Sequence, residues 1–173
     1  MTSVKTQAIS GVTTDAENIS MKVYPSMAGT GLGRLLGNLY ESIPIKINGI
    51  KLSHLLFPLP LSPLSLLIYF WMKAFGDRFV LTNRSLQVWR GLGARMSAQV
   101  PLGDIKEIDV AQSPGQVFYK AGDLVLFGAN DSRLLRLGGV PRPDVFRQTI
   151  LKGRDARLQN DSALATIRAR KPA

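Results

Sequence analysis

Residues 78–90 read RFVLTNRSLQVWR, and the fold turns on how this stretch is read. Arg78 to Thr82 is an apolar run of strand length. Asn83 and Arg84 then make a tight turn, because asparagine tolerates a positive φ. After the turn the side chains alternate: Leu86 and Val88 point one way, Gln87 and Trp89 the other. Two short strands joined by two residues form an antiparallel ribbon with one face available to a core.

The same texture continues outward. Gly91-Leu92-Gly93 turns the chain again, and Arg95 to Val100 reads as a third strand. Pro101-Leu102-Gly103-Asp104 interrupts it. Lys106 to Ala111 is a fourth strand, with Ile108 and Val110 in phase. Val117 to Lys120 reads as a fifth. Gly122-Asp123 closes a turn into Leu124 to Phe127, and Asn130-Asp131-Ser132 turns into Arg133 to Leu137. Seven short strands are enough for a curled sheet or partial barrel. Gly138-Gly139 ends the last of them, and Pro143 suits a first helical position. Phe146, Thr149, Ile150 and Gly153 recur at helical spacing, so Phe146 and Ile150 are expected to cap an open end of the barrel. Residues 159–173 are polar and basic and are expected to fray.

Seven strands followed by one helix is the pleckstrin-homology (PH) architecture. The chain resembles the bacterial PH-domain membrane proteins over about residues 70–155. The resemblance is carried by Arg78-Phe79-Val80-Leu81-Thr82-Asn83-Arg84-Ser85-Leu86, by Pro101-Leu102-Gly103-Asp104-Ile105, by Gly122-Asp123-Leu124-Val125-Leu126 and by Gly138-Gly139-Val140-Pro141-Arg142-Pro143. It implies an α+β fold and a non-catalytic module at the cytoplasmic face of the inner membrane, working in oligomerisation or protein docking. Such proteins commonly carry two membrane helices before the domain, whereas this chain has one apolar run. Eukaryotic PH domains take phosphoinositides on a long basic loop between their first two strands. That loop is read here as Asn83-Arg84, too short for such a pocket, so phosphoinositide binding is not carried over.

The apolar run precedes the domain. Residues 52–72, LSHLLFPLPLSPLSLLIYFWM, contain no Asp, Glu, Lys or Arg. Fully helical, they would span roughly 31 Å, about the hydrocarbon thickness of a bilayer. Proline is tolerated in a first helical turn but not in an interior. Pro58, Pro60 and Pro63 therefore predict a helix starting near Pro58 or Pro60 and ending about Phe75. Leu55, Leu56, Phe57, Leu64, Leu67, Ile68, Tyr69, Phe70 and Trp71 are its expected anchor residues, as a transmembrane or re-entrant segment. Tyr69 and Trp71 suit headgroup level. A buried core helix is the alternative. Lys51, Lys73, Arg78 and Arg84 flank the run and are the expected contacts to anionic headgroups.

Residues 29–51 hold Leu32, Leu35, Leu36 and Leu39 at the spacing of one helical face. A short amphipathic helix fits, either lying on a membrane or packed against the C-terminal domain. Gly29, Gly31, Gly33 and Gly37 do not make a nucleotide loop. Counting from Gly31 puts Leu36 where the dinucleotide fingerprint needs its last glycine, no apolar strand comes before, and the phosphate-loop ending is missing. They are read as a flexible approach to the helix.

The remaining chemistry is sparse. The chain of 173 residues has no cysteine and a single histidine, His54. Disulfides, thiolate catalysis, Cys-ligated metals and any two-imidazole mechanism are excluded. Asp104, Glu107 and Asp109 are the closest acidic group and read as a solvated strand face. No cofactor is implied and no enzyme is expected. The net charge of +10 favours anionic partners. Arg133, Arg136, Arg142, Arg147, Lys152, Arg154 and Arg157 crowd the last strand and helix, but no aromatics are interleaved to stack bases. Membrane lipid, with a protein partner or a second copy, is favoured over nucleic acid.

The expected organisation is a polar, flexible tail over residues 1–28, without the pattern of a signal peptide, and an amphipathic segment over 29–51. A membrane anchor over 52–75, the PH-like domain over 76–158 and a basic tail over 159–173 follow. The expected function is a membrane-anchored scaffold or adaptor. A soluble or peripheral oligomerisation module with a buried apolar helix is the first alternative, and a basic nucleic-acid-binding protein the second.

Overall fold

The computed structural model describes residues 17–91 and 95–170. In chain order the elements begin with β1 (Ile19–Val23), a 3-10 turn at Met27–Gly29 and α1 (Gly31–Glu41). The two-stranded ribbon β2 (Lys46–Ile47) and β3 (Ile50–Lys51) follows, then α2 (Leu52–Leu56) and α3 (Pro58–Phe75). Next come β4 (Asp77–Thr82), β5 (Ser85–Arg90), β6 (Arg95–Pro101) and β7 (Glu107–Ala111). The chain closes with α4 (Pro114–Val117), β8 (Ala121–Phe127), β9 (Arg133–Pro141) and α5 (Pro143–Arg170).

Two antiparallel sheets, ordered β1-β4-β5-β6 and β7-β8-β9, enclose one core. The core runs through Phe79, Leu81, Leu86, Val88, Ile108, Leu124, Leu126 and Leu137. Phe79 and Leu81 in β4, and Leu86 and Val88 in β5, are the inward positions of the ribbon at 78–90, with Phe79 paired to Val88 and Leu81 to Leu86. Asn83 and Arg84 form the turn. Pro143 opens α5, and Phe146 and Ile150 are fully buried against the core, as their spacing predicts.

Four expectations need correction. Residues 76–158 were expected to hold seven strands; among the described residues they hold six, and residues 19–23 in the expected tail add β1, which pairs with β4. The first two strands of the larger sheet are therefore joined by residues 24–76, which carry α1 to α3, and Asn83-Arg84 joins its second and third strands. The expected strand at 117–120 is instead the end of α4 and a turn. Pro114 sits in the first turn of α4, and Ser113 with Gln116 forms a capping box. The expected turn at Gly122-Asp123 lies inside β8, because the Asp123 carboxylate finds partners that let it stay buried. Finally, α5 continues through Arg170, well past the expected frayed boundary at 159. The central residues of the expected Gly91-Leu92-Gly93 turn, residues 1–16 of the tail and residues 171–173 lie outside the described residues.

Thr30 caps α1, its Oγ1 accepting from Gly33 N at 3.1 Å. The helix buries Gly33, Leu36, Gly37 and Tyr40, one position round from the expected leucine face, and leaves Leu32 and Leu35 exposed. Close approach explains the rotation. A Cβ on Gly37 would stand 2.0 Å from the carbonyl oxygen of Gly115 in α4. Gly33 and Gly37 are packing positions and not the flexible approach expected from sequence.

Candidate membrane-contact surface

Helix α3 begins with Pro58 and Pro60 in its first turn, where a missing N–H costs nothing, and holds Pro63 inside. At 18 residues it is about 27 Å long. Its inner side packs Leu61, Ile68 and Met72 against Leu36 and Tyr40 of α1 and against Phe118 and Tyr119. Burial, with the nearby Tyr40 phenol, pushes the Tyr119 phenol up to about 12, so it stays neutral in this apolar layer.

The other side of α3 has no covering among the described residues. Leu64, Leu66, Leu67, Phe70, Trp71 and Phe75 are all exposed, Leu67 at 68% and Trp71 at 61%. Tyr69 packs edge-on to Phe70 at 5.6 Å, and Lys73 Nζ stands 5.9 Å from the Tyr69 ring centroid. Six large apolar side chains on one solvent-facing helix exceed what scattered surface residues explain. Of the expected anchor residues, Leu64, Leu67, Tyr69, Phe70 and Trp71 face outward, and Leu56 is also exposed. Ile68 faces inward, and Phe57 is half-buried at the break between α2 and α3. The Leu55 side chain lies outside the described set. No helix among the described residues is long and apolar enough to cross a membrane.

The four expected headgroup contacts are not brought together. Lys73, at the end of α3, and Arg78, at the start of β4, line one cavity of about 660 Å³ with Tyr24, Met27, Tyr69 and Met72. The Arg78 guanidinium stacks over the Trp89 ring at 5.5 Å. Lys51 is paired with Glu41. That hydrogen bond holds the Glu41 carboxyl below its ordinary range, against a smaller opposing push from burial. Arg84 lies in the turn past the far end of β4, roughly 15 Å from Arg78 by strand rise. Its charge helps to lower Glu17 instead.

That Glu17 contact gives the Thr-Asn-Arg-Ser turn a role the sequence did not disclose. Glu17 Oε1 accepts from Ser85 Oγ at 2.6 Å, Thr82 Oγ1 at 2.7 Å and Gln87 Nε2 at 3.0 Å. Asn18 and Asn83 add a backbone-to-side-chain bond of 3.0 Å. The bonds from Ser85 and Thr82 hold Glu17 below the usual carboxylate range. The turn thus receives the start of β1.

A second carboxylate ties the helical insertion to the barrel. Asp123, 3% exposed, accepts from Arg136 Nη2 at 2.6 Å, Gln116 Nε2 at 2.6 Å, Gly139 N at 2.9 Å and Arg34 Nη2 at 3.0 Å. Burial pushes its pKa up, but these bonds and the Arg34 charge outweigh it and hold the carboxyl below its ordinary range. Arg34 Nε also donates to Ala28 O at 3.0 Å.

The arginine-rich C-terminal region is partly spoken for. Arg136 pairs with Asp123, Arg157 with Asp161, and Arg154 with Asp155 and the carbonyl of Lys106. Asp104, Glu107 and Asp109 are each exposed, and no acidic or histidine cluster suited to a metal occurs among the described residues.

No curated protein and no solved structure matched the chain. The family model described as "Bacterial PH domain" matches residues 34–154, which runs from α1 into α5 and takes in both sheets except β1. With that match over most of its length, the chain belongs to the bacterial PH domain family.

Proposed function

We propose that this chain is a membrane-seated adaptor. The outward side of α3 lies in the lipid interface of the cytoplasmic membrane, and the PH-like barrel presents a protein-binding surface on the cytoplasmic side. The observation that carries the reading is the uncovered row Leu64, Leu67, Phe70 and Trp71, on a helix whose opposite side is packed. A helix with one apolar side exposed and the other committed to protein suits a segment lying in the interface or re-entering it. Lys73 at its end and the chain's net charge of +10 favour an anionic surface.

Vesicle sedimentation tests this. The full chain is expected to pellet with vesicles containing phosphatidylglycerol and to resist high salt. A variant with Leu67→Gln, Phe70→Gln and Trp71→Gln is expected to stay in the supernatant while keeping its fold by circular dichroism. Equal pelleting of the two proteins overturns the proposal.

A further inference from the structure

We infer that the ribbon formed by β2 and β3 is a second element that inserts into the same bilayer surface; this rests on the reading of α3 given above. Asn48 and Gly49 join the two strands, with φ of 50° and 83°, the left-handed pair that a two-residue hairpin turn requires. Ile47 pairs with Ile50, and Lys46 with Lys51. By strand alternation Ile45, Ile47 and Ile50 share one face and Lys46 and Lys51 share the other. Lys51 reaches Glu41 at the end of α1, so the lysine face is turned toward the protein and the isoleucine face away from it. Ile45, Ile47 and Ile50 are each 58% exposed.

A ribbon this short is not stable on its own in water, and its apolar face contributes nothing to either buried cluster. The sequence nevertheless supplies the turn residues that build it and three β-branched side chains on its outer face. Those side chains match the acyl boundary of a bilayer. The ribbon also runs directly into α2, which carries exposed Leu56, and α2 leads into α3. Exposed apolar residues therefore follow one another along the chain from the hairpin through Leu56 to α3.

The absence of cysteine from the sequence makes the test direct. Ile47→Cys and Leu67→Cys in the full chain each give one site for an environment-sensitive fluorophore. With vesicles of phosphatidylcholine and phosphatidylglycerol, both labels are expected to shift to the blue and to be quenched by nitroxides placed on the acyl chains. A label at residue 47 that stays in water while that at 67 shifts overturns the inference and leaves α3 standing. If neither shifts, both fall. A shift at 47 that grows with protein concentration in the absence of vesicles assigns the isoleucines to a second copy and overturns the inference. The unlabelled double variant Ile47→Ser, Ile50→Ser is expected to lower vesicle partitioning by roughly tenfold, with its circular dichroism unchanged; unaltered partitioning counts against insertion.

Discussion

Arg34 and Asp123 meet across 89 positions of sequence, Arg34 Nη2 lying 3.0 Å from Asp123 Oδ2. Arg34 belongs to α1, in the segment inserted between the first two strands of the larger sheet. Asp123 lies in the middle strand of the smaller one. The same carboxylate takes Gln116 of α4 and Arg136 and Gly139 of β9. The insertion is thereby fixed to the barrel, and whatever seats α3 on a surface also sets the barrel's orientation.

Removing that carboxylate should be costly. Asp123→Ala leaves the buried Gln116 amide and Gly139 N–H without their acceptor, together about 2–5 kcal/mol, while the half-exposed Arg136 can turn to solvent. Denaturant unfolding is expected to show an unfolding free energy lowered by that amount, with the midpoint moving in proportion. Arg34→Ala removes a partner that is one-third exposed and should cost less, about 1–2 kcal/mol. A loss below about 1 kcal/mol for Asp123→Ala would mean that its partners find water instead.

Acid stability follows from the same group. Its folded-state pKa is lowered by Arg136, Gly139, Gln116 and Arg34, whose effect outweighs burial. A lowered carboxylate adds stability above its unfolded value, ordinarily 3.8 for aspartate, and loses it as pH falls through the folded value. Glu17 acts in the same sense. Unfolding free energy should therefore change little between about pH 7 and pH 5 and then fall steeply. Asp123→Asn is expected to flatten the acid limb, and an unchanged limb would assign the acid sensitivity to other groups.

The ribbon at 78–90 was legible because its apolar alternation and its turn agree, as were the end of α3 at Phe75 and the seat of Phe146 and Ile150. What stayed hidden depended on distant partners. Asp123 beside Gly122 reads as a turn until Arg34, Gln116 and Arg136 are seen to surround it. Residues 19–23 alternate weakly, and only Val23 is buried; they become a strand because β4 offers an open edge and Thr82, Ser85 and Gln87 receive Glu17. The α3 surface was legible as apolar. Its division into a packed side and an exposed side was not, since that is decided by where α1 and Phe118 lie.

Backbone contact between the insertion and the barrel gives a third expectation. Gly139 has φ of +65°, and a Cβ there would stand 2.4 Å from Gly29 N. Ser26 N donates to Gly139 O at 2.7 Å in the same contact. Gly139→Ala combines left-handed strain of about 1–2 kcal/mol with a clash that only backbone movement relieves. Amide exchange over residues 26–30 is expected to quicken well before that of β4 and β5. Protection lost equally everywhere would show that the contact and the barrel open together.

The two ends of β4 make the headgroup question decidable. Lys73 and Arg78 sit where α3 meets the barrel, and Arg84 sits roughly 15 Å away beside Glu17. If the α3 side faces the bilayer, Lys73→Gln should weaken binding to anionic vesicles by about fivefold, near 1 kcal/mol for a basic residue at the surface. The effect should fade at high salt, because screening shortens the reach of exposed charges. Arg84→Gln should leave vesicle binding nearly unchanged and instead lower stability modestly, since Glu17 loses a neighbouring positive charge. Titrations of both variants against phosphatidylglycerol vesicles at low and high salt separate the outcomes. A larger loss from Arg84→Gln than from Lys73→Gln would turn the molecule over, placing the β4–β5 turn at the membrane and α3 away from it.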